Sequence, residues 1–183
     1  MFRVASPVTM PAEDDHSSGP VLIEGPAAAF DGRSLASRHV AAFASLGTRS
    51  LIGNAASRMM MLRHGGIDLP VTVDDGTCGH SYVASPHSAY VLYARDEIDI
   101  IGMTWGRWGA KGVLGAMDGL LRAMRINRTV HLDNWLLSTN LHGNWDGRGL
   151  ADMRGLLAER GADHFMILRS LDAWSCPDLL EAA

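Results

Sequence analysis

The residues best suited to chemistry lie in Thr129–Asn140, TVHLDNWLLSTN. A run with strand character meets a dense polar cluster there: Asp133, Asn134, Ser138, Thr139 and Asn140, with Trp135 among them. Such a cluster is costly to bury unless its groups are satisfied. In open α/β sheets, ligands sit at the carboxyl ends of strands. Amide and hydroxyl groups at that place orient a polar substrate by hydrogen bonds. The same residues equally suit a network that ties loops together. Arg169, which follows a later strand in HFMILRSL, joins the cluster if the two strands are neighbours. Its guanidinium then suits a carboxylate or a phosphate.

Two other stretches carry candidate anion sites. GRWGAKG, residues 106–112, lies between an expected strand and an expected helix. Glycines there let backbone amides approach a phosphate, and Arg107 and Lys111 add charge around Gly109 and Gly112. It is neither a P-loop nor a dinucleotide fingerprint, since its glycines are spaced GxxGxxG. The other is SPHSAYVLY, where Ser85, His87 and Ser88 gather at a helix start. Either stretch also reads as plain structure, a glycine-punctuated loop or an ordinary helix cap. Cys78-Gly79-His80 looks like a nucleophile–base pair, but neighbours at that spacing rarely have catalytic geometry, and catalytic Cys and His are usually distant in sequence. Eight histidines are scattered without HxxxH, and CxxC is absent, so no metal site is expected.

These residues need a scaffold, and the periodicity supplies one. Val21–Glu24 reads as a strand and Ser34–Leu46 as a helix capped by Ser34 and ended by Gly47. RMMMLR and DLPVTV flank HGGI, the pattern of a hairpin over residues 59–73 with Met59-Met60-Met61 as filler. Tyr82–Ser85 is a strand candidate, and Ser85-Pro86 opens a helix. Asp99–Trp105 is read as a strand and Val113–Ile126 as the strongest helix. Gly115 and Gly119 weaken that helix, and their spacing suggests a backbone packed closely against it. Thr129–Leu137 is a strand, followed by a polar loop. Asp146 is the expected cap of a helix over 149–160 that Gly161 ends. His164–Leu168 is a strand, and Pro177–Glu181 a last helix. Alternating elements in the second half call for an α/β fold: a mixed central sheet flanked by helices.

Composition narrows the classes. At 183 residues the chain is long enough for one domain with its own core, over residues 20–183. Residues 1–19 are polar and broken by Pro7 and Pro11, and read as a disordered tail, with Met10 an alternative start to Met1. The net charge of −4 excludes the concentrated basic face of a nucleic-acid binder. Lys111 is the single lysine. No run reaches the ~18–20 apolar residues of a membrane span, so no membrane partner is expected. The first ten residues lack the apolar block of a secretory signal. Cys78 and Cys176 read as free thiols of a reducing cytosol, which places the chain in the cytoplasm.

With these elements in order, the chain resembles the Gcn5-related acyltransferase (GNAT) fold. The series SPHSAYVLYARDEI, DNWLLSTNLH and HFMILRSL is also similar to uncharacterised bacterial proteins of that kind, over roughly residues 50–175. The resemblance implies an acyl-CoA site, with the pyrophosphate at a strand-to-helix turn and the pantetheine beside a splayed strand. The family's pyrophosphate loop reads Gln/Arg-x-x-Gly-x-Gly/Ala, a pattern that neither GRWGAKG nor SPHSAYV follows. On this reading the donor sits at Ser85–Ser88 or Arg107–Gly112. A small amine acceptor sits near Asn134, Trp135, Thr139, Asn140 and Arg169. Asp133 or His131 serves as general base, and Ser138 helps to bind the oxyanion. A homodimer would complete the architecture. The alternative is a non-catalytic binding or regulatory protein that retains the fold.

Overall fold

Gly65 and Gly66 set the first half of the sheet. Both adopt left-handed φ, 55° and 78°, which the two central residues of a tight hairpin require. They join β2 (Arg58–His64) to β3 (Ile67–Asp75), with His64 opposite Ile67. The computed structural model describes residues 19–76, 81–102 and 104–183. Around the hairpin, β1 (Val21–Ile23) pairs with β2 and β4 (Arg128–Leu132) with β3, both antiparallel. The last strand, β5 (Phe165–Leu168), lies parallel to β4. The order is β1-β2-β3-β4-β5. The β4–β5 pair is parallel because a helix, α5 (Leu150–Arg160), carries the chain back between them. The molecule is thus a single α/β domain with a mixed sheet flanked by helices.

Strand alternation sends apolar residues to both faces. Met60, Leu62, Val71, Val73, Val130 and Leu132 pack against Met153 and Leu157 of α5 and Leu179 of α6 (Pro177–Ala182). Met59 and Met61 face the other way, onto Val40 and Phe43 of α1 (Leu35–Leu46) with Val83 and Leu136. The three consecutive methionines are therefore core on both sides of one strand. Ser34 caps α1 by accepting from the Ser37 amide at 3.0 Å, and Gly47 ends it. A single helical turn, α2 (Thr48–Leu51), follows.

The connection from β3 to β4 differs most from expectation. Tyr82–Ala84 form turns and not a strand. Ser85 does cap the next helix, its Oγ accepting from the Ser88 amide at 3.2 Å. That helix passes through a π-helical turn, Ser88–Leu92, into α3 (Tyr93–Ile100), so the expected strand from Asp99 does not form. GRWGAKG is no loop either. Gly106 turns left-handed at φ 75°, and α4 (Arg107–Ala123) starts six residues before the expected Val113. Spaced one turn apart, Arg107 and Lys111 both reach Asp99 of α3, at 2.7 and 2.8 Å. Among the described residues no backbone packs closely against Gly115 and Gly119: a Cβ built on either meets nothing within 4 Å.

Two smaller differences lie nearer the sheet end. The strand expected over Thr129–Leu137 stops at Leu132, because Asp133 and Leu136 turn left-handed, φ 51° and 57°. Asp146 accepts from the Arg148 amide in a local turn, while Gly149 takes the N-cap of α5. The tail, save Gly19, and the Cys78-Gly79-His80 triplet lie outside the described residues. Cys176 is a buried free thiol.

Gly149 shows how tightly α5 meets the hairpin. Its φ is 75°, and an added Cβ would stand 2.3 Å from His64 Cδ2. Gly149→Ala should therefore cost about 1–3 kcal/mol by urea unfolding, and His64→Ala in the same chain should restore part of it. An unchanged midpoint for the single variant would contradict this contact.

Candidate functional site

The end of β4 is built around one left-handed residue. The φ of 51° at Asp133 drops its buried carboxylate below the sheet end. There Oδ1 accepts from Trp135 Nε1 at 2.8 Å, and Oδ2 is bonded to His142 Nδ1 at 2.6 Å. The other ring nitrogen of His142, Nε2, lies 2.7 Å from the carbonyl of Arg169, just past β5. A carboxylate and a carbonyl only accept, so both ring nitrogens donate and the ring is an imidazolium. The Asp133 bond, ahead of the Arg169 carbonyl, raises the His142 pKa above its ordinary value. Asp133 is thus spent on a buried ion pair and is not a free base.

Asn134 is fully buried and fully engaged. Its Nδ2 donates to Thr72 Oγ1 at 2.8 Å and to the Val83 carbonyl at 3.2 Å. Its Oδ1 accepts from the Leu136 amide. This residue links sheet, turn and loop. Asn140 is buried too: its amide donates to Ser170 Oγ at 3.0 Å and its Oδ1 accepts from Trp135 N, while Nδ2 is unpartnered. Ser138 and Thr139 are exposed. The carbonyl of Ser138, rather than its hydroxyl, is what the cluster uses.

Arg169 gathers this group, as adjacency of β4 and β5 requires. Its Nη1 donates to the Val83 carbonyl at 2.6 Å and approaches Asn134 Oδ1 at 3.5 Å. Nη2 donates to the Ser138 carbonyl at 3.2 Å. Burial lowers the Arg169 pKa, and the nearby Tyr82 and Tyr90 hydroxyls oppose that. Every one of these partners is neutral, and among the described residues no carboxylate pairs with the guanidinium. A half-buried cation held by neutral acceptors is a ready partner for an anion.

His131 lies in β4 opposite Thr72. Burial first, and the Arg169 charge second, push its pKa down to about 3. It is neutral near pH 7 but too weakly basic for efficient proton abstraction there, since a good base titrates near the working pH. The geometry does not favour the general-base roles expected of Asp133 and His131: Asp133 is bonded to His142 and Trp135, and His131 is buried.

Both expected donor stretches make contacts within the chain. Ser85 Oγ donates to Asn127 Oδ1 at 3.0 Å, the His87 amide donates to the same atom, and His87 Nε2 is 2.5 Å from Asp118 Oδ1. Ser85, His87 and Ser88 are buried and pin the helix start to α4 and the approach to β4. A cavity of about 180 Å³ adjoins His87, with Arg122 and Arg125. Arg107 and Lys111 are committed to Asp99, and Gly109 and Gly112 lie within α4. A larger cleft, about 530 Å³, opens near Thr48, Arg49 and Ser57, away from every expected site residue.

Sequence reading passed over His142 and the turn before α5. Asn144-Trp145-Asp146-Gly147-Arg148-Gly149 places two glycines two residues apart directly ahead of a helix. Both glycines are left-handed, φ 87° and 75°, and no side chain caps α5. The spacing alone was the available signal. Among the described residues no helix is long and apolar enough to cross a membrane, and no group of three His, Cys, Asp or Glu is placed to hold a metal ion. Comparisons with known protein families, with curated proteins and with solved structures found no match.

Two histidines give the stability a pH profile. A raised His142 pKa contributes stability that is complete below about pH 6.5, the unfolded value, and is lost as pH rises through the folded value. The depressed His131 pKa acts oppositely: its stability is complete above about 6.5 and declines as pH falls toward 3. Urea midpoints should therefore peak near neutrality, and His142→Gln should flatten the alkaline limb. A wild-type alkaline limb that is already flat would show that His142 is not charged. Separately, Asn134→Ala should cost about 1–3 kcal/mol, because Thr72 and Val83 lose their buried partner.

Proposed function

We propose that this chain is an acyltransferase-like protein that moves an acyl group from acyl-CoA to a small amine. What supports the reading is the Arg169 guanidinium, with no carboxylate partner among the described residues, at the carboxyl ends of the parallel pair β4 and β5. The strand order, antiparallel through β4 and parallel after it, agrees with the first half of a GNAT sheet. Arg169 would bind an anionic group of donor or acceptor. The uncapped first turn of α5 after Gly147 and Gly149 would face the donor pyrophosphate. The amine nitrogen would attack the thioester carbonyl, the carbon–sulfur bond would break, and CoA would leave as the thiol with the amine's proton. With Asp133 and His131 unfit as bases, rate enhancement would rest on holding an already neutral amine against the thioester.

That same lack of a base favours the second reading, a non-catalytic protein that binds a small anion at Arg169. The two separate by experiment. Under the first, acetyl-CoA or a longer acyl-CoA at about 100 times its Kd should stabilise the fold by ~2.7 kcal/mol, a Tm rise of roughly 5–10 °C for a chain of this size. Arg169→Gln should lower the affinity at least several-fold, and thiol release should depend on an added amine. If no acyl-CoA shifts the Tm, the transferase reading fails. A shift without amine-dependent thiol release leaves the binding role.

A further inference from the structure

Three tyrosines stand at the surface beside Arg169. The guanidinium donates to the Val83 carbonyl at 2.6 Å, and the residue before Val83 is Tyr82. The Tyr82 ring lies 5.7 Å from the Tyr93 ring, tilted by 39°, which is within the range of an aromatic pair. The hydroxyls of Tyr82 and Tyr90 are both near enough to hold the Arg169 pKa up against burial. Tyr82 is 44% exposed, Tyr90 63% and Tyr93 54%. A tyrosine left in water forgoes the gain that burying its ring would bring. The group is also held in place. The Ser81 amide donates to the Asn54 carbonyl at 2.7 Å and the Ala84 amide to the Ser81 carbonyl at 3.0 Å, which ties the turn that carries Tyr82. Glu97 accepts from the Tyr93 hydroxyl. Arg169 is pinned by Val83, Asn134 and Ser138, and among the described residues these partners are neutral oxygens. Two chemistries therefore sit side by side, a fixed cation and a ledge of exposed rings.

We infer that Arg169 and this tyrosine ledge bind an aromatic carboxylate, its carboxylate on the guanidinium and its ring against Tyr82 and Tyr93. The inference rests on the reading of Arg169 as an anion site and names the anion. Arginine and tyrosine are the side chains that carry much of the binding energy where a ligand or partner is held, and a ledge already fixed loses little freedom when the ligand arrives. One guanidinium among neutral oxygens matches one negative charge. A phosphate monoester carries close to two near neutral pH and would be left under-compensated, so a nucleotide fits less well. On the transferase reading the ligand is the acceptor, an aromatic amino acid. The guanidinium would then lower the pKa of its ammonium group, because a like charge disfavours the charged form. That raises the share of neutral amine able to attack the thioester.

Isothermal titration of the full chain with hydrocinnamate, propionate and hydrocinnamyl alcohol tests the two halves of the site. Hydrocinnamate has both ring and carboxylate, and each of the others lacks one. It should bind about ten-fold tighter than either. Tyr82→Ala with Tyr93→Ala should remove most of the preference for hydrocinnamate over propionate, and Arg169→Gln should weaken both carboxylates. The ligand series on the wild type needs no variant, so a misfolded variant leaves the test standing. Three results would overturn the inference and leave Arg169 a plain anion site: equal affinity for hydrocinnamate and propionate, a ring preference that survives the double variant, or tighter binding of adenosine monophosphate than of hydrocinnamate. If neither carboxylate binds, the inference fails as well. The transferase reading fails with it only where acyl-CoA also leaves the Tm unmoved.

Discussion

The buried bond between Asp133 and His142 fixes the functional end of this molecule. A non-glycine residue in the left-handed region costs roughly 1–2 kcal/mol, and Asp133 is held there by what its carboxylate reaches. Its two oxygens take Trp135 and His142, and His142 continues to the Arg169 carbonyl. One chain of charge-assisted bonds thereby ties the end of β4 to the end of β5. Removing either member would leave the other as a buried unpaired charge, so the clamp is close to all-or-none. The loop from Asn134 to Leu141 is folded around it.

That clamp also decides where charge is available. Asp133 and His142 neutralise each other, and His131 is kept neutral by burial. What is left is Arg169, turned by the same backbone anchor toward Val83 and Ser138. Among the described residues, its hydrogen-bond partners are neutral acceptors. A cation held in this way is suited by its chemistry to an anionic group. Chemistry that requires proton abstraction would have to draw its base from the substrate or from solvent.

The connection between β3 and β4 has a different logic. Its inner side is stitched by buried polar contacts, Ser85 and His87 to Asn127 and His87 to Asp118. Its outer side is apolar and rich in glycine. An amphipathic helix normally turns its apolar stripe to the core. In α4 the inward contacts are partly polar, and apolar residues such as Val113 and Leu120 are exposed.

Much of this fold is legible in the residues themselves. Gly65-Gly66 between alternating apolar runs demands the hairpin, Ser34 and Ser85 demand helix starts, and Arg169 suits an anion by its chemistry, because turn geometry, capping and charge are local properties. Where strands and helices stop was less legible. Nothing near Leu132 forbids further strand; the left-handed Asp133 is stable because His142, nine residues on, closes the ion pair. GRWGAKG looks like a loop by its glycines and is helical, with Asp99 of α3 bridging Arg107 and Lys111. The roles of the site residues were decided by tertiary structure alone. Protonation and availability depend on burial and on partners distant in the chain, and these convert a carboxylate that reads as a base into half of a structural ion pair.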